Sequence, residues 1–587
     1  MATVTKFILN SPTNIVTDML QGLIVANPSM RLYPDQKVVL SHPLPQGRVR
    51  ILSGGGSGHE PFAAGYVGEG MLSGAVAGNI FTSPPSGSIE AALEALCKDN
   101  SAGVLVVVAN YTGDVLNFGI ACERAKTQGH KVESVVVGED IALLDTDRTS
   151  LAGRRGMCGI VLVIKIAGAM SGAGMSLEDI AEECKLVSGS MSTLGVCLSA
   201  CSMPGSGPMF TLEPDQMELG LGIHGEAGIC RTRLEPASTV VQTLLDKISR
   251  SLDLKQKSSV IVLVNNLGTL TQLEMGVVQK EIGEYFDHQH ISIARLYSSS
   301  FMTSLDMKGF QVCVLRLDNA KWIQWLDGDT VAPGWPRTGG GVKEEQEKSP
   351  VLSGTKSFEQ IYEENKIEWN SIETPQRDLV AQCIRVAAVS VSSQEDELNR
   401  LDQTCGDGDC GSTLKRLAHG VLELLSGPHS ESYTCSPVTI LKFLEYSAQT
   451  RMGGTSGALY SLMFLSAASW VQRHKDSWDW GQAFIAGVEG VLRFSAARKG
   501  DRTMLDVLIE CKENLEQKGK LVVSKETLTT IRNNVTRACE ETKNMIPRAG
   551  RASNVDASLI HNVDAGAYGV QLWITAILDE LLKRFDS

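Results

Sequence analysis

A change of texture near residue 338 constrains this chain more than any other feature. From residue 9 to 337, short β-branched and aliphatic runs alternate with glycine-rich turns and helical patterns. Arg48–Leu52, Gly103–Ala109, Val132–Val137, Gly159–Ile166, Val260–Val264 and Val312–Leu317 read as strands covered on both faces. Their strand–loop–helix order predicts an α/β domain with at least partly parallel sheets. The pattern restarts at Val260–Val264, followed by Asn265-Asn266-Leu267-Gly268, which predicts two α/β subdomains divided within 180–260. Residues 338–376 break the texture. Thr338-Gly339-Gly340-Gly341, a charge run from Lys343 to Lys348 and Ser349-Pro350 offer little to bury, so the segment reads as a flexible linker.

From 377 to 583 the spacing turns helical. Ser436-Pro437 is an N-cap and first-turn pair ahead of Ile440, Leu441 and Leu444. Phe484, Val488, Val491 and Leu492 form one stripe, and Ile574, Leu578, Leu581 and Phe585 another. An all-α bundle or barrel is the expectation.

Composition narrows the class. Lys and Arg number 54 against 67 Asp and Glu, a net charge of −13, which disfavours nucleic-acid or anionic-membrane partners. No apolar stretch reaches the ~18–20 residues of a membrane span. Gly159–Met170 comes nearest, and it is short and carries Lys165. The polar N-terminus lacks the apolar core of a signal peptide. The 14 cysteines are scattered without a Cys-x-x-Cys pair, as buried free thiols are. A cytoplasmic location is expected.

Chemistry concentrates in a few strings. Asp402, Asp407 and Asp409 fall within eight residues, separated by glycines. Three crowded carboxylates repel unless a cation neutralises them, and hard Mg²⁺ prefers oxygen ligands and the company of phosphate. The spacing does not fit an EF-hand. Met452-Gly453-Gly454-Thr455-Ser456-Gly457 and Gly500-Asp501-Arg502-Thr503-Met504-Leu505-Asp506 can present backbone N–H groups to phosphate. No Walker A motif is present, nor the protein-kinase His-Arg-Asp and Asp-Phe-Gly pair. In the first half, Ser53-Gly54-Gly55-Gly56-Ser57-Gly58-His59-Glu60-Pro61 follows a strand. Asp114 lies just past the end of Gly103–Ala109, where α/β sheets bind ligands. His224 sits between glycines in Leu219-Gly220-Leu221-Gly222-Ile223-His224-Gly225-Glu226.

These strings resemble the single-chain, ATP-dependent dihydroxyacetone kinases, and especially their animal members, the triokinase/FMN cyclases. The resemblance covers nearly the whole chain outside the linker, through the motifs at 54–61, 110–114, 222–226 and 406–411. It implies an α/β substrate domain over 9–337, an α-helical-barrel nucleotide domain over 377–583, and a homodimer. By resemblance, His224 adds covalently to a substrate carbonyl, His59 positions the substrate with Gly56, Ser57 and Gly58, and Asp114 is the general base. Asp402, Asp407 and Asp409 correspond to the ligands of Mg²⁺. Gly408, Cys410, Thr455, Ser456, Ser495, Thr503, Met504, Asp564, Ala565 and Gly566 fall, with Asp407 and Asp409, where relatives contact ATP. The implied substrates are dihydroxyacetone and D-glyceraldehyde. A second implied activity splits FAD to AMP and riboflavin cyclic 4′,5′-phosphate, with Mn²⁺ or Co²⁺. Two departures stand out: Ala109 replaces a Lys common in the family, and Ser495 replaces a Gly. Ala109 gives local support to an alternative, a non-enzymatic regulatory or binding protein that kept the fold.

Overall fold

The computed structural model describes residues 5–144, 153–226, 228–336, 358, 360, 372–427, 430–517, 524–555 and 560–585. The chain divides into two compact units, Met1–Ser349 and Pro350–Ser587.

The first unit holds two six-stranded sheets. The first sheet comprises β1 (Met30–Tyr33), β2 (Val38–Ser41), β3 (Arg50–Ser57), β4 (Gly74–Ile80), β5 (Val104–Ala109) and β6 (Val132–Val137), in the order β1-β2-β4-β3-β5-β6. Its β4-β3-β5-β6 portion is parallel. The second comprises β7 (Met191–Cys197), β8 (Gln216–Leu219), β9 (Cys230–Arg233), β10 (Ser259–Asn266), β11 (Ser292–Ser299) and β12 (Gly309–Arg316), in the order β11-β10-β12-β7-β8-β9. It is antiparallel except for β10 with β11. The restart in the sequence is thus a second sheet, and it begins with β7, well before Val260.

Gly159–Ile166 is not a strand. It lies in the helix Ile160–Gly172, which is buried on every side from Ile160 to Gly168. A continuous apolar run is compatible with either a covered strand or an enclosed helix, so periodicity alone could not separate them. The helix shares one core with inward residues of both sheets, among them Leu105, Val107, Ile261 and Leu315. The ammonium of its Lys165 donates to the Trp325 carbonyl at 2.9 Å. The outer face of the first sheet is covered by helices Ser86–Cys97 and Thr112–Thr127. The outer face of the second is covered by Ala237–Ser251 and Gln272–His288.

In the second unit, the helices Thr374–Ser392, Cys410–Ser426, Pro437–Ser447, Gly454–Arg473, Trp480–Phe494, Met504–Gln517, Lys525–Glu541 and Ala565–Leu582 each pack on the next, and the last returns to the first. This closed ring is a helical barrel. Ser436 caps its helix as expected, accepting the Thr439 N–H at 3.1 Å, with Pro437 in the first turn. Ile574 and Leu578 face the core, whereas Phe585 lies beyond the helix end and is exposed. Inside the ring, Val391, Leu414, Tyr460, Phe464 and Trp573 help line an apolar cavity of about 130 Å³.

Of the expected linker, residues 338–357, 359 and 361–371 lie outside the described residues. Phe358 is buried against Tyr433 and Phe443, with ring centroids 5.0 and 5.5 Å apart. An aromatic in a polar stretch can anchor chain that overall composition reads as solvated. No described helix is long and apolar enough to cross a membrane. All 14 cysteines are free.

Candidate active site

Parallel strands end on the same edge of a sheet, so whatever follows β3, β4 and β5 is gathered there. After β3 come Gly58 and His59, after β4 Phe81 to Ser83, and after β5 Asn110 to Asp114. The second sheet contributes Gly220 to Glu226, which follow β8, and Phe301 to Leu305, which follow β11. The 301–305 loop joins the two groups. Leu305 N–H donates to Gly58 O at 2.9 Å, Thr303 N–H to His59 O at 3.1 Å, and Ser304 Oγ–H to Ile223 O.

The result is a cluster of four rings. The His59 and His224 centroids are 4.9 Å apart and edge-on. Phe81 stacks on His59 at 5.0 Å and meets His224 edge-on at 5.3 Å, while Tyr111 closes on His224 at 4.8 Å. Each imidazole is fixed through its Nδ1. His59 Nδ1 lies 2.8 Å from Thr303 O, a carbonyl that can only accept, so Nδ1 carries the proton and Nε2 is left as an acceptor. That Nε2 is buried without a partner. His224 Nδ1 lies 2.9 Å from Glu226 Oε1, and its backbone N–H donates to Glu226 Oε2 at 3.0 Å. The Glu226 carboxylate therefore turns Nε2 of His224 away from itself.

Electrostatics separates the groups. Burial, then the neighbouring His224, pushes His59 down to about 3, so it stays neutral at pH 7. Burial lifts Asp114 to about 6, against the pull of Ser83 Oγ, which donates to Asp114 Oδ1 at 2.6 Å, and of His224. Burial alone would also raise Glu226, but the hydrogen bond and charge of His224 hold it near 2.

In the helical unit, oxygens of Asp402, Asp407 and Asp409 lie within 4.8 Å of one another. Asp402 Oδ2 accepts the Gly408 and Asp409 N–H groups at 3.0 and 3.1 Å, a turn that Gly408 allows at φ +74°. Burial and the charges of Asp407 and Asp402 raise Asp409. A cluster of hard oxygens that already destabilises its own ionisation fits a divalent cation such as Mg²⁺. Cys410 opens the helix that follows, its thiol pushed up to about 12 by burial.

Asp564 caps Ala565–Leu582 through Oδ1, accepting the Ala567 N–H at 2.8 Å, with Ala565 and Gly566 in that first turn. Burial raises Asp564 to about 6, and Asp506 and Asp402 add to the rise against Arg502. Met504 Cβ approaches Gly566 closely enough that a side chain there would press on it at 3.3 Å. Thr503 N–H donates to Asp506 Oδ2 at 2.7 Å. Thr455 and Ser456 open the helix Gly454–Arg473, and Arg416 links their turn, through Met452 O at 3.3 Å, to the charge of Asp409. Ser495 ends Trp480–Phe494 and accepts the Ala497 N–H at 3.1 Å.

Sequence reading gave no individual role to Glu226 or Arg502, which lie inside its candidate strings, and missed Phe81, Ser83 and Thr303. Glu226 had a signal, a carboxylate two residues beyond a glycine-flanked histidine. Thr303 had none, because its contact with His59 spans 244 residues. Buried Arg502 lies at φ +60°, donates to Asn562 O at 2.9 Å and stands 3.6 Å from Asp564 Oδ2.

An α/β unit with paired histidines and a carboxylate, followed by a helical barrel with an oxygen cluster, defines a two-domain class. The chain matches the Dak1 domain over residues 21–334 and the DAK2 domain over 404–579. It is 39% identical over 586 residues to the triokinase/FMN cyclase of Homo sapiens, covering 98% of this chain and 99% of that one. It is 38% identical over 593 residues to that of Bos taurus, covering 99% of each. Its fold is similar to the crystal structure of the dihydroxyacetone kinase from C. freundii in complex with AMP-PNP and Mg²⁺, with a TM-score of 0.63 and 29% identity, covering 98% of this chain and 99% of that one. The chain belongs to the single-chain dihydroxyacetone kinase family.

Proposed function

We propose that the chain transfers the γ-phosphoryl group of ATP to dihydroxyacetone and D-glyceraldehyde, and that it also splits FAD to AMP and riboflavin cyclic 4′,5′-phosphate. The observation that carries the kinase reading is the orientation of His224, with Nδ1 tied to Glu226 and Nε2 left for a ligand. Nε2 attacks the substrate carbonyl carbon, and the C=O π bond opens onto oxygen. Nδ1 releases its proton through Glu226 to solvent, and the alkoxide takes up a proton from solvent to become a hydroxyl. The product is a neutral hemiaminal. His59 accepts a substrate hydroxyl hydrogen bond at Nε2, and Gly56, Ser57 and Gly58 bring backbone close to the small substrate. Asp114 takes the proton of the hydroxyl whose oxygen attacks the γ-phosphorus. Glycerol has no carbonyl to capture and is excluded.

Asp402, Asp407 and Asp409 would hold Mg²⁺, which supplies charge neutralisation for the phosphates. Gly408, Cys410, Thr455, Ser456, Ser495, Thr503, Met504, Asp564, Ala565 and Gly566 would surround the nucleotide. FAD splitting uses this nucleotide site without His224, with Mn²⁺ or Co²⁺ as metal. The double name of the animal relatives supports it. We take 9–337 and 377–583 as the substrate and nucleotide domains, and the active form as a cytoplasmic homodimer.

Ala109 is buried at the end of β5, where the family Lys is missing. Phosphorylation assays with Mg²⁺ and ATP, run beside Ala109→Lys, test the reading. Wild-type turnover on dihydroxyacetone and D-glyceraldehyde, with none on glycerol, is expected. Equal turnover on glycerol contradicts carbonyl capture, and no wild-type turnover with activity restored by Ala109→Lys contradicts the kinase assignment.

A further inference from the structure

The loop after β4 has no role in the site as read from sequence, yet it touches His59, His224 and Asp114. Phe81 N–H donates to Ser57 O at 2.9 Å and Thr82 N–H to Asn79 O at 3.0 Å. Phe81 itself sits at φ +55°, a conformation that costs a bulky residue and persists only where the surroundings enforce it. Here its ring is held against both His59 and His224. A Cβ on Gly56 would come within 2.8 Å of Thr82 N, and one on Gly113 within 2.7 Å of Ser83 Oγ. The loop is therefore clamped between the glycine-rich loop and the helix that carries Asp114.

We propose that Ser83 is a positioning residue for phosphoryl transfer, holding Asp114 so that one carboxylate oxygen faces the substrate. Asp114 is 5% exposed, and its Oδ1 accepts the Ser83 hydroxyl at 2.6 Å. Its Oδ2 lies 3.9 Å from where a side chain on Gly55, in the glycine-rich loop, would begin. Oδ1 is thus occupied by the protein, and Oδ2 is the atom that takes the substrate proton. His224 is the titratable group among the described residues whose charge bears on Asp114, and it favours the ionised form as Ser83 does. Without Ser83, Asp114 loses both its fixed rotamer and a donor that stabilises its anion.

The inference rests on the kinase reading above and is tested by Ser83→Ala and Ser83→Thr beside wild type and Asp114→Asn. For each, kcat and KM for dihydroxyacetone are measured across pH, and dihydroxyacetone binding is measured by calorimetry. Ser83→Ala should lower kcat about tenfold, the scale of one hydrogen bond to a charged group. It should also move the acidic limb of the kcat profile to higher pH and leave dihydroxyacetone binding unchanged. Ser83→Thr keeps the hydroxyl and should restore both kcat and the limb. If the wild type phosphorylates no carbonyl compound, the functional reading falls and this inference with it. If Asp114→Asn turns over like the wild type, the base assignment falls, and Ser83 has nothing to position. If wild type and Asp114→Asn behave as expected but Ser83→Ala keeps its kcat and its limb, or loses only dihydroxyacetone binding, the inference about Ser83 alone is overturned.

Discussion

His59 and His224 share a ring cluster and a side-chain type, yet their neighbours fit them for different work. A carbonyl on Nδ1 makes His59 a neutral acceptor, whereas a carboxylate on Nδ1 gives His224, in the proposed reaction, an outlet for its proton as it attacks the carbonyl. Glu226→Ala should therefore lower dihydroxyacetone phosphorylation by about 10²-fold, the scale of a lost acid–base partner, while steady-state kinetics shows an unchanged KM for ATP. An unchanged kcat would show that His224 needs no orientation. The pH dependence follows from Asp114. Its carboxyl is raised to about 6, so the base form is lost as pH falls through that value. Turnover of the wild type should rise through about pH 6 and then level off, and a pH–rate profile checks it.

At the scale of elements, the glycine loops decide whether the histidines meet. A Cβ on Gly222 would collide with the Glu226 carboxylate. Gly222→Ala should keep the far-ultraviolet circular dichroism of the wild type while losing most dihydroxyacetone phosphorylation. The strings that build these loops were legible in the sequence because each is contiguous and follows a strand. β6 matches its expected bounds, and β3, β5, β10 and β12 overlap theirs. The helix Ile160–Gly172 was misread because an enclosed helix shows no amphipathic period. Ser83 and Thr303 were invisible for another reason. They act across 31 and 244 residues, and no local spacing encodes such a contact. Likewise, Phe358 docks where composition alone suggested a linker.

At the scale of the whole molecule, the proposed function gives the two compact units different ligands, and a ligand stabilises the unit that binds it. At a hundredfold excess over Kd the gain is about 2.7 kcal/mol. Calorimetric scans should show Mg²⁺ with a nonhydrolysable ATP analogue moving one transition and dihydroxyacetone moving the other. A single transition that responds equally to both would mean that the units do not unfold separately. Removing divalent metal with EDTA should abolish phosphorylation while leaving dihydroxyacetone binding intact, as calorimetry would register.

The division of labour between the units is tested most directly by His224→Asn, assayed in parallel for dihydroxyacetone phosphorylation with Mg²⁺ and FAD splitting with Mn²⁺. Loss of phosphorylation with FAD splitting at the wild-type rate is the predicted result. Phosphorylation that survives the substitution would contradict covalent capture on His224, and equal loss of both activities would contradict the separation of the two sites.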